Sequence, residues 1–391
     1  MLIETLTLRH FRNYDALEMH PHPGVNLLFG HNGSGKTNLL EAIHYCALGR
    51  SHRTASDREV VQRGEGQGAC GVTVQARVGR CSVAVLLTPQ EARRKQVLID
   101  RKRAARLSDL MGRVRCVIFS PEDLLLVREG PSCRRRFVDM MLSQLSPGYF
   151  VALQQYQKAL EQRNALLREQ KRSGVRQDAL LDAFETVMAD MCAQIIPMRR
   201  RLISRTAALA AEKYAAISGR EGEEFAMRYA SCLEGEEELA TRAKSRLEQS
   251  RLDDALRGAT LFGVHREDIA LTLCGREMKQ FASQGQIRTA CLSMKLSQLA
   301  LYREECGESP VLLLDDVMSE LDMNRRTRLL REIEGVQTFV TCTDESDLEG
   351  AYQRRSYRVS LDDKLRGSLQ ETSAGERQTP CPQEADEPDF T

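Results

Sequence analysis

The spacing of apolar positions changes along the chain, and each change marks a different kind of element. Leu2, Leu6 and Leu8 fall on one side of the first eight residues and predict a strand with a single buried face. Val25 to Phe29 is a short apolar run; a glycine-rich stretch follows it, then a helix-like segment from Asn38 to Leu48. Val72 to Ala76, Cys81 to Leu87, Gln96 to Ile99 and Arg115 to Phe119 read as further short strands, split by Gly, Arg and Asp turns, up to about Arg128. From about Pro131 the repeat lengthens. Phe150, Leu153, Tyr156, Leu160, Asn164 and Leu167 recur at three- and four-residue steps, as do Leu181, Phe184, Met188, Met191 and Ile195. The polar break from Gln170 to Gly174 predicts that these two helices form an antiparallel hairpin, and Pro197 predicts a kink in the second. Both stripes read as packing between helices. The acidic runs Glu221 to Glu224 and Glu234 to Glu238 predict loops and short helices, and strand character returns after about Leu261. From about Leu365 the chain is polar, with Pro380, Pro382 and Pro388, and is expected to be disordered because it buries too little surface to offset the entropy of ordering.

Composition narrows the class without deciding it. Of 391 residues, 42% are hydrophobic and 28% charged, an ordinary globular balance for two or three domains. Lys and Arg number 56 against 55 Asp and Glu, so attraction to a polyanion has to come from local patches. No apolar stretch reaches the length of a membrane span, and the N-terminus lacks the apolar core of a signal peptide. The 12 cysteines include no C-x-x-C pair; Cys46, Cys116, Cys291 and Cys342 sit in apolar surroundings. All are expected to be reduced thiols of a cytoplasmic protein.

The glycine-rich stretch carries the chemistry. Gly30, His31, Asn32, Gly33, Ser34, Gly35, Lys36 and Thr37 match the P-loop spacing G-x-x-x-x-G-K-[ST], between a strand and a helix as that loop requires. Glycines let successive backbone N–H groups face one concavity, and the following helix points its positive end there. Lys36 is placed to reach the β- and γ-phosphates, and Thr37 to hold Mg²⁺. A bound nucleoside triphosphate is therefore expected. Val311 to Leu314 is an apolar run ending in Asp315 and Asp316, as a buried parallel strand reads at its ligand-binding end. Asp315 is the candidate Mg²⁺ ligand and Asp316 the group that orients or deprotonates a water. About thirty residues earlier, Ser283, Gly285 and Gln286 open a helix that runs from Ile287 to Tyr302, again a phosphate-ready helix entry. Alone, Ser283 would be an ordinary N-cap.

Taken together, these segments resemble the Walker A, signature, Walker B and D-loop (Ser319 to Asp322) of ABC-type ATPases. Phe11-Arg12-Asn13-Tyr14, Phe119 to Leu124, Arg134 to Phe137, Gly263 to Arg266 and Ala282 to Gln286 are similar to segments of the RecF family, bacterial recombination and gap-repair proteins related to the SMC ATPases. The resemblance spans roughly residues 1 to 360. It implies an α/β fold: an ABC-type P-loop ATPase head assembled from N-terminal (1–133) and C-terminal (258–364) segments, with an inserted α-helical arm (134–257) and a tail (365–391). It further implies that ATP is sandwiched in a homodimer, Lys36 and Thr37 of one copy meeting Ser283, Gly285 and Gln286 of the other, with Arg12 and Asn13 near the nucleotide. Double-stranded and single-stranded DNA at gap junctions, RecR and RecO, and indirectly RecA are the implied partners, and no membrane is. Slow ATP hydrolysis is expected, because Asp316 stands where many ABC ATPases carry Glu. The usual Q-loop glutamine is not recognisable, with Gln62, Glu122 or Asp123 as stand-ins, and Thr341 and Thr343 lie where a histidine switch is usual. Basic clusters at Arg93 to Lys95, Arg101 to Arg103 with Arg106, Arg134 to Arg136, Arg199 to Arg201 and Arg325-Arg326 suit a DNA backbone, though each taken singly reads better as a solvated or intramolecularly paired face. The competing readings are the ATP-binding subunit of a membrane transporter and a nucleotide-gated scaffold.

Overall fold

Four strands whose every residue is buried form the centre of the molecule: β3 (Val25–Phe29), β8 (Cys116–Phe119), β12 (Val311–Leu314) and β13 (Thr338–Cys342). Apolar runs without alternation need cover on both faces, which a parallel sheet between helices supplies. With β14 (Arg354–Leu361) and β15 (Gly367–Ala374) they make a sheet of order β15-β14-β3-β13-β12-β8, parallel except for β15 at the edge. The computed structural model describes residues 1–91, 94–220, 222–345 and 354–374; Arg93, Glu221 and the tail from 375 lie outside the described residues.

β15 corrects one expectation, since ordered structure continues past Leu365. Asp362 accepts hydrogen bonds from the backbone of Lys364 and Arg366, which closes the turn, and Gly367 N–H donates to Asn13 O. Leu369 is the one large apolar side chain of the strand, packed against the core. Backbone pairing rather than apolar burial holds this strand, which is why composition misread it.

One face of the central sheet is covered by α1 (Lys36–Leu48), which is buried almost all round because an antiparallel sheet lies on its far side. That sheet has the order β2-β1-β4-β5-β6-β7, from β1 (Leu2–Phe11), β2 (Tyr14–Met19), β4 (Gly68–Ala76), β5 (Gly79–Leu87), β6 (Lys95–Ile99) and β7 (Lys102–Arg103). A bulge between Ile3 and Thr5 resets the alternation in β1, so Ile3 is 1% exposed and Leu2 37%. Leu2 therefore does not share the buried face of Leu6 and Leu8.

On the other face α9 (Gln284–Cys306) packs against β8, and the remaining helices build outward from it: α2 (Leu125–Arg128), α3 (Pro131–Leu145), α4 (Pro147–Ser173), α5 (Asp178–Ser218), α6 (Leu239–Gln249), α7 (Arg251–Arg257), α8 (Met278–Phe281) and α10 (Met323–Glu332). α4 ends on Gly174 in the left-handed region, and α4 and α5 pack together. Pro197 lies inside α5, which continues to Ser218. Arg163 of α4, fully buried, binds Glu185 of α5 at 2.9 Å and Asp254 of α7 at 2.7 Å. Arg199 of α5 is likewise buried between Asp139 and Glu267. Between α5 and α6 the chain forms β9 (Phe225–Ala230), paired with β10 (Asp268–Leu273), which also pairs with β11 (Arg276–Glu277). This strand replaces the loops expected there; Phe225 and Met227 alternate with exposed positions, a pattern the flanking acidic runs obscured.

Among the described residues no helix is long and apolar enough to cross a membrane. The cysteines among them are free thiols, including the buried Cys46 and Cys70 with sulfurs 3.6 Å apart.

Candidate nucleotide site at the carboxyl ends of the parallel strands

The P-loop leaves β3 and enters α1 beneath β14. Gly30 has φ 148°, and a Cβ there would stand 2.1 Å from Val359 O, so only glycine fits between the loop and its neighbour strand. Gly35 has φ 111°, and a Cβ would strike the Asn13 side chain. That side chain donates to Ser34 O at 3.0 Å and accepts from Asn38 Nδ2 at 2.8 Å, while Tyr14 OH donates to Gly35 O. Asn13 and Tyr14 thus hold the loop from behind. Lys36 Nζ donates to Gly30 O at 2.6 Å and His31 O at 2.9 Å, across the mouth of the loop, and burial lowers its pKa.

Three strand ends converge on this loop. Thr37 Oγ1 donates to Asp315 Oδ1 at 2.8 Å, and Thr341, at the end of β13, donates to the same oxygen at 2.8 Å. Thr341 Oγ1 also accepts the backbone N–H of Asp316 at 2.8 Å. Burial pushes the Asp315 carboxyl up, against the two threonine hydrogen bonds. Asp316 has φ 54°, a conformation Asp and Asn tolerate better than longer side chains do. A hydroxyl and a carboxylate at 2.8 Å, both beside a P-loop, form the oxygen donor set that Mg²⁺ takes.

Arg12 is bonded to the helix that the loop enters. Its guanidinium grips the buried Glu41 of α1 with two hydrogen bonds, at 2.8 and 2.6 Å, and donates to Glu59 O. Burial pushes the Glu41 carboxyl up, but Arg12 and Ser51 outweigh it and hold the group below the usual carboxylate range. Arg12 therefore braces α1. Arg12 also lines an open cleft of ≈ 740 Å³ with Asn13, Asn38, Arg53 and Gln62, among others. Arg53 had no sequence signal; it donates to Asn38 and lies 3.6 Å from Glu41.

Ser283 caps α9: its Oγ accepts from Gln286 N, and Gln286 Oε1 accepts from Ser283 N. The Gln286 amide donates to Glu223 at 2.9 Å, so the side chain is a brace rather than a free ligand. Gly285 faces the guanidinium of Arg325, which would lie 3.6 Å from a Cβ there. No hydrogen bond or ion pair among the described residues joins Ser283 to Gln286 with Gly30 to Thr37 or with Asp315 and Asp316. The expected site residues thus form two groups, one around Lys36 and one around Ser283.

Of the Q-loop candidates, Asp123 lies at the end of β8 next to β12 and is clamped at 2.8 Å by Lys295 of α9. Glu122 is exposed beside it, and Gln62 bonds His10 and Asp15 away from the strand ends. Most expected basic clusters are spent internally: Arg134 on Asp268, Arg199 on Asp139 and Glu267, Arg200 on Leu233 O and Arg325 on Asp322. Arg101, Lys102, Arg103 and Arg106 are exposed at the β6–β7 end of the antiparallel sheet. His265 bonds Tyr156 and Thr260 O and is structural.

The sequence profile of the RecF/RecN/SMC N-terminal domain matches residues 2–366. The DNA replication and repair protein RecF of Symbiobacterium thermophilum is 39% identical over 369 residues, 92% of this chain and 96% of its own. The chain belongs to the RecF family. RecF proteins act in DNA replication and repair, and identity at this level along nearly the whole chain does not favour a transporter subunit. A structure described as the recombination mediator protein RecF with ATP in the RecFOR pathway superposes with a TM-score of 0.86 at 33% identity, covering 95% of this chain and 98% of that one. The Smc head domain of Pyrococcus furiosus, at TM-score 0.56 and 15% identity over 95% of this chain and 96% of its own, shares the fold. The ABC-type α/β head built from both ends of the chain is therefore shared with RecF and SMC proteins.

Proposed function

We propose that this RecF-family chain is an ATP-gated DNA clamp of gap repair, acting in the cytoplasm as a homodimer with two ATP·Mg²⁺ sandwiched between protomers. Lys36 and the loop N–H groups hold the β- and γ-phosphates, Thr37 and Asp315 hold Mg²⁺, and Asp316 orients the attacking water. Ser283 and Gly285 of the second copy close on the γ-phosphate. The carrying observation is the division of the site: a P-loop already joined through Thr37 to Asp315, and a helix-capping serine with no bond to either. A phosphate shared by both groups makes ATP part of the interface, so hydrolysis loosens the dimer. The reading extends to slow hydrolysis stimulated by DNA, a preference for duplex beside single-stranded gaps, and co-operation with RecR and RecO in loading RecA; the family's place in replication and repair supports it. The exposed cluster Arg101 to Arg106 suits phosphate contacts.

The test is binding to gapped duplex over a salt series, with and without ATP, for the wild type and Lys36→Met. Binding that needs ATP, weakens steeply with salt and is lost with Lys36→Met is expected. ATP-independent binding, or none, overturns the clamp.

A further inference from the structure

Gln286, the last residue of the signature segment, is held by a carboxylate from outside the ATPase head's strands. Gln286 Nε2 donates to Glu223 Oε1 at 2.9 Å, and Glu223 is fixed in turn by Tyr214 OH at 2.8 Å and by Arg220 at 3.2 Å. Burial pushes the Glu223 carboxyl up, but the hydrogen bonds from Gln286, Tyr214 and Arg220 hold it below its ordinary value. Tyr214 belongs to the last turns of α5, and Glu223 follows the end of that helix by five residues. α5 has 41 residues and, at ~1.5 Å per residue, spans about 60 Å from the α4–α5 turn to this point.

The same helix end is bound to the D-loop side. Arg328 of α10 donates to Ile217 O at 2.7 Å, satisfying a carbonyl in the last turn of α5. Gly219, at φ 62°, ends the helix, and a Cβ there would meet the Arg328 guanidinium at 2.4 Å. Lys213 of α5 pairs with Glu332 of α10 at 2.9 Å. Asp322 caps α10 by accepting from Arg325 N, and Arg325 lies against Gly285. The C-terminal end of one long helix is therefore bonded to both segments that would cross to the partner protomer, α9 through Glu223 and α10 through Arg328.

We propose that Glu223 and Arg328 are positioning residues for the composite site: the root of the helical arm sets the signature loop and the D-loop helix as one unit, so a displacement of α5 reaches both. Glu223 orients Gln286, whose Oε1 in turn orients the Ser283 N–H; neither Glu223 nor Arg328 touches nucleotide. This inference rests on the reading of Ser283 and Gly285 as partner-facing phosphate groups.

The experiment compares Glu223→Ala, Gln286→Glu, Arg328→Met and the exchange Glu223→Gln with Gln286→Glu in full-length protein. Readouts are ATP binding by the monomer, the protein concentration at half-maximal ATP-dependent dimerisation, and amide hydrogen exchange over residues 283–287 without ATP. Glu223→Ala should bind ATP as the wild type does; it and Gln286→Glu should dimerise at about tenfold higher concentration and exchange faster over 283–287, the effect expected on losing a charge-assisted hydrogen bond. Arg328→Met should raise the dimerisation midpoint similarly. The exchange variant turns donor and acceptor around, so that an amide at position 223 donates to a carboxylate at position 286. It should restore dimerisation to within about threefold of wild type, which a merely structural loss would not permit. Unchanged hydrogen exchange in Glu223→Ala, or failure of the exchange variant to recover, overturns the inference. Ser283→Arg separates it from the dimer reading: ATP-dependent dimerisation surviving Ser283→Arg defeats the sandwich, while faster exchange in Glu223→Ala would still establish the tie between arm and signature loop.

Discussion

At the scale of single residues, the site is organised by Thr341. One hydroxyl donates to Asp315 and accepts from the backbone of Asp316, so the proposed metal ligand and the proposed water-orienting group are set by the same atom. It also clarifies why Asp stands at 316. The residue is held at φ 54°, where Asp and Asn are tolerated and longer side chains are disfavoured. Asp316→Asn should keep the backbone and remove only the charge. ATP-dependent dimers of that variant should persist, with single-turnover hydrolysis slowed by about 100-fold or more. Thr341→Val keeps the side-chain shape and removes both hydrogen bonds; a loss of about 1–3 kcal/mol predicts hydrolysis slower by ~5- to 150-fold with a smaller change in ATP affinity. Hydrolysis at the wild-type rate in either variant would remove Asp316 or Thr341 from its role.

At the scale of elements, periodicity reported what lies against other elements and missed what is held by hydrogen bonds. The P-loop, α1, the fully buried strands and the long helices were legible because their apolar spacing follows their burial. β15 was not, since backbone pairing with β14 holds it, and neither was the bulge in β1, which depends on one inserted residue. In the site, the Walker pair and the capping serine were readable from spacing, whereas the turning of Arg12 toward Glu41 was not, because the partner lies 29 residues away on α1. The helical arm is similar in this respect. Its stripes predict α4 and α5, but the charged Arg163 that links them to α7 is buried where an apolar residue would be expected. Breaking a buried ion pair by removing one partner leaves the other charge uncompensated. Arg163→Met should lower stability by about 3–5 kcal/mol in urea unfolding. A change below about 1 kcal/mol would mean that Ser250, Arg251 and Leu261 N–H satisfy the two carboxylates without it.

At the scale of the whole molecule, the proposed division of the site between protomers allows a complementation test. Lys36→Met and Ser283→Arg should each fail to dimerise with ATP. Mixed together, they should give a heterodimer in which the P-loop of the Ser283→Arg copy meets the signature of the Lys36→Met copy, with one nucleotide bound per dimer by sedimentation and stoichiometry. No association on mixing would count against an interprotomer site. The sheet order carries a further consequence, in time rather than in space. β3, which launches the P-loop, is flanked by β13 and β14, strands that begin at Thr338 and Arg354. At ~5–20 residues per second, a ribosome takes roughly 15–65 s to travel from β3 to the start of β13. Throughout that interval Val25 to Phe29 has neither neighbour, and Gly30 has no Val359 to pack beneath. A nascent chain therefore displays a complete P-loop sequence long before it has a nucleotide site. For the same reason, a premature stop anywhere upstream of residue 338 leaves an apolar strand open on both edges, a polypeptide suited to aggregation and proteolysis rather than to a dominant-negative, ATP-holding fragment.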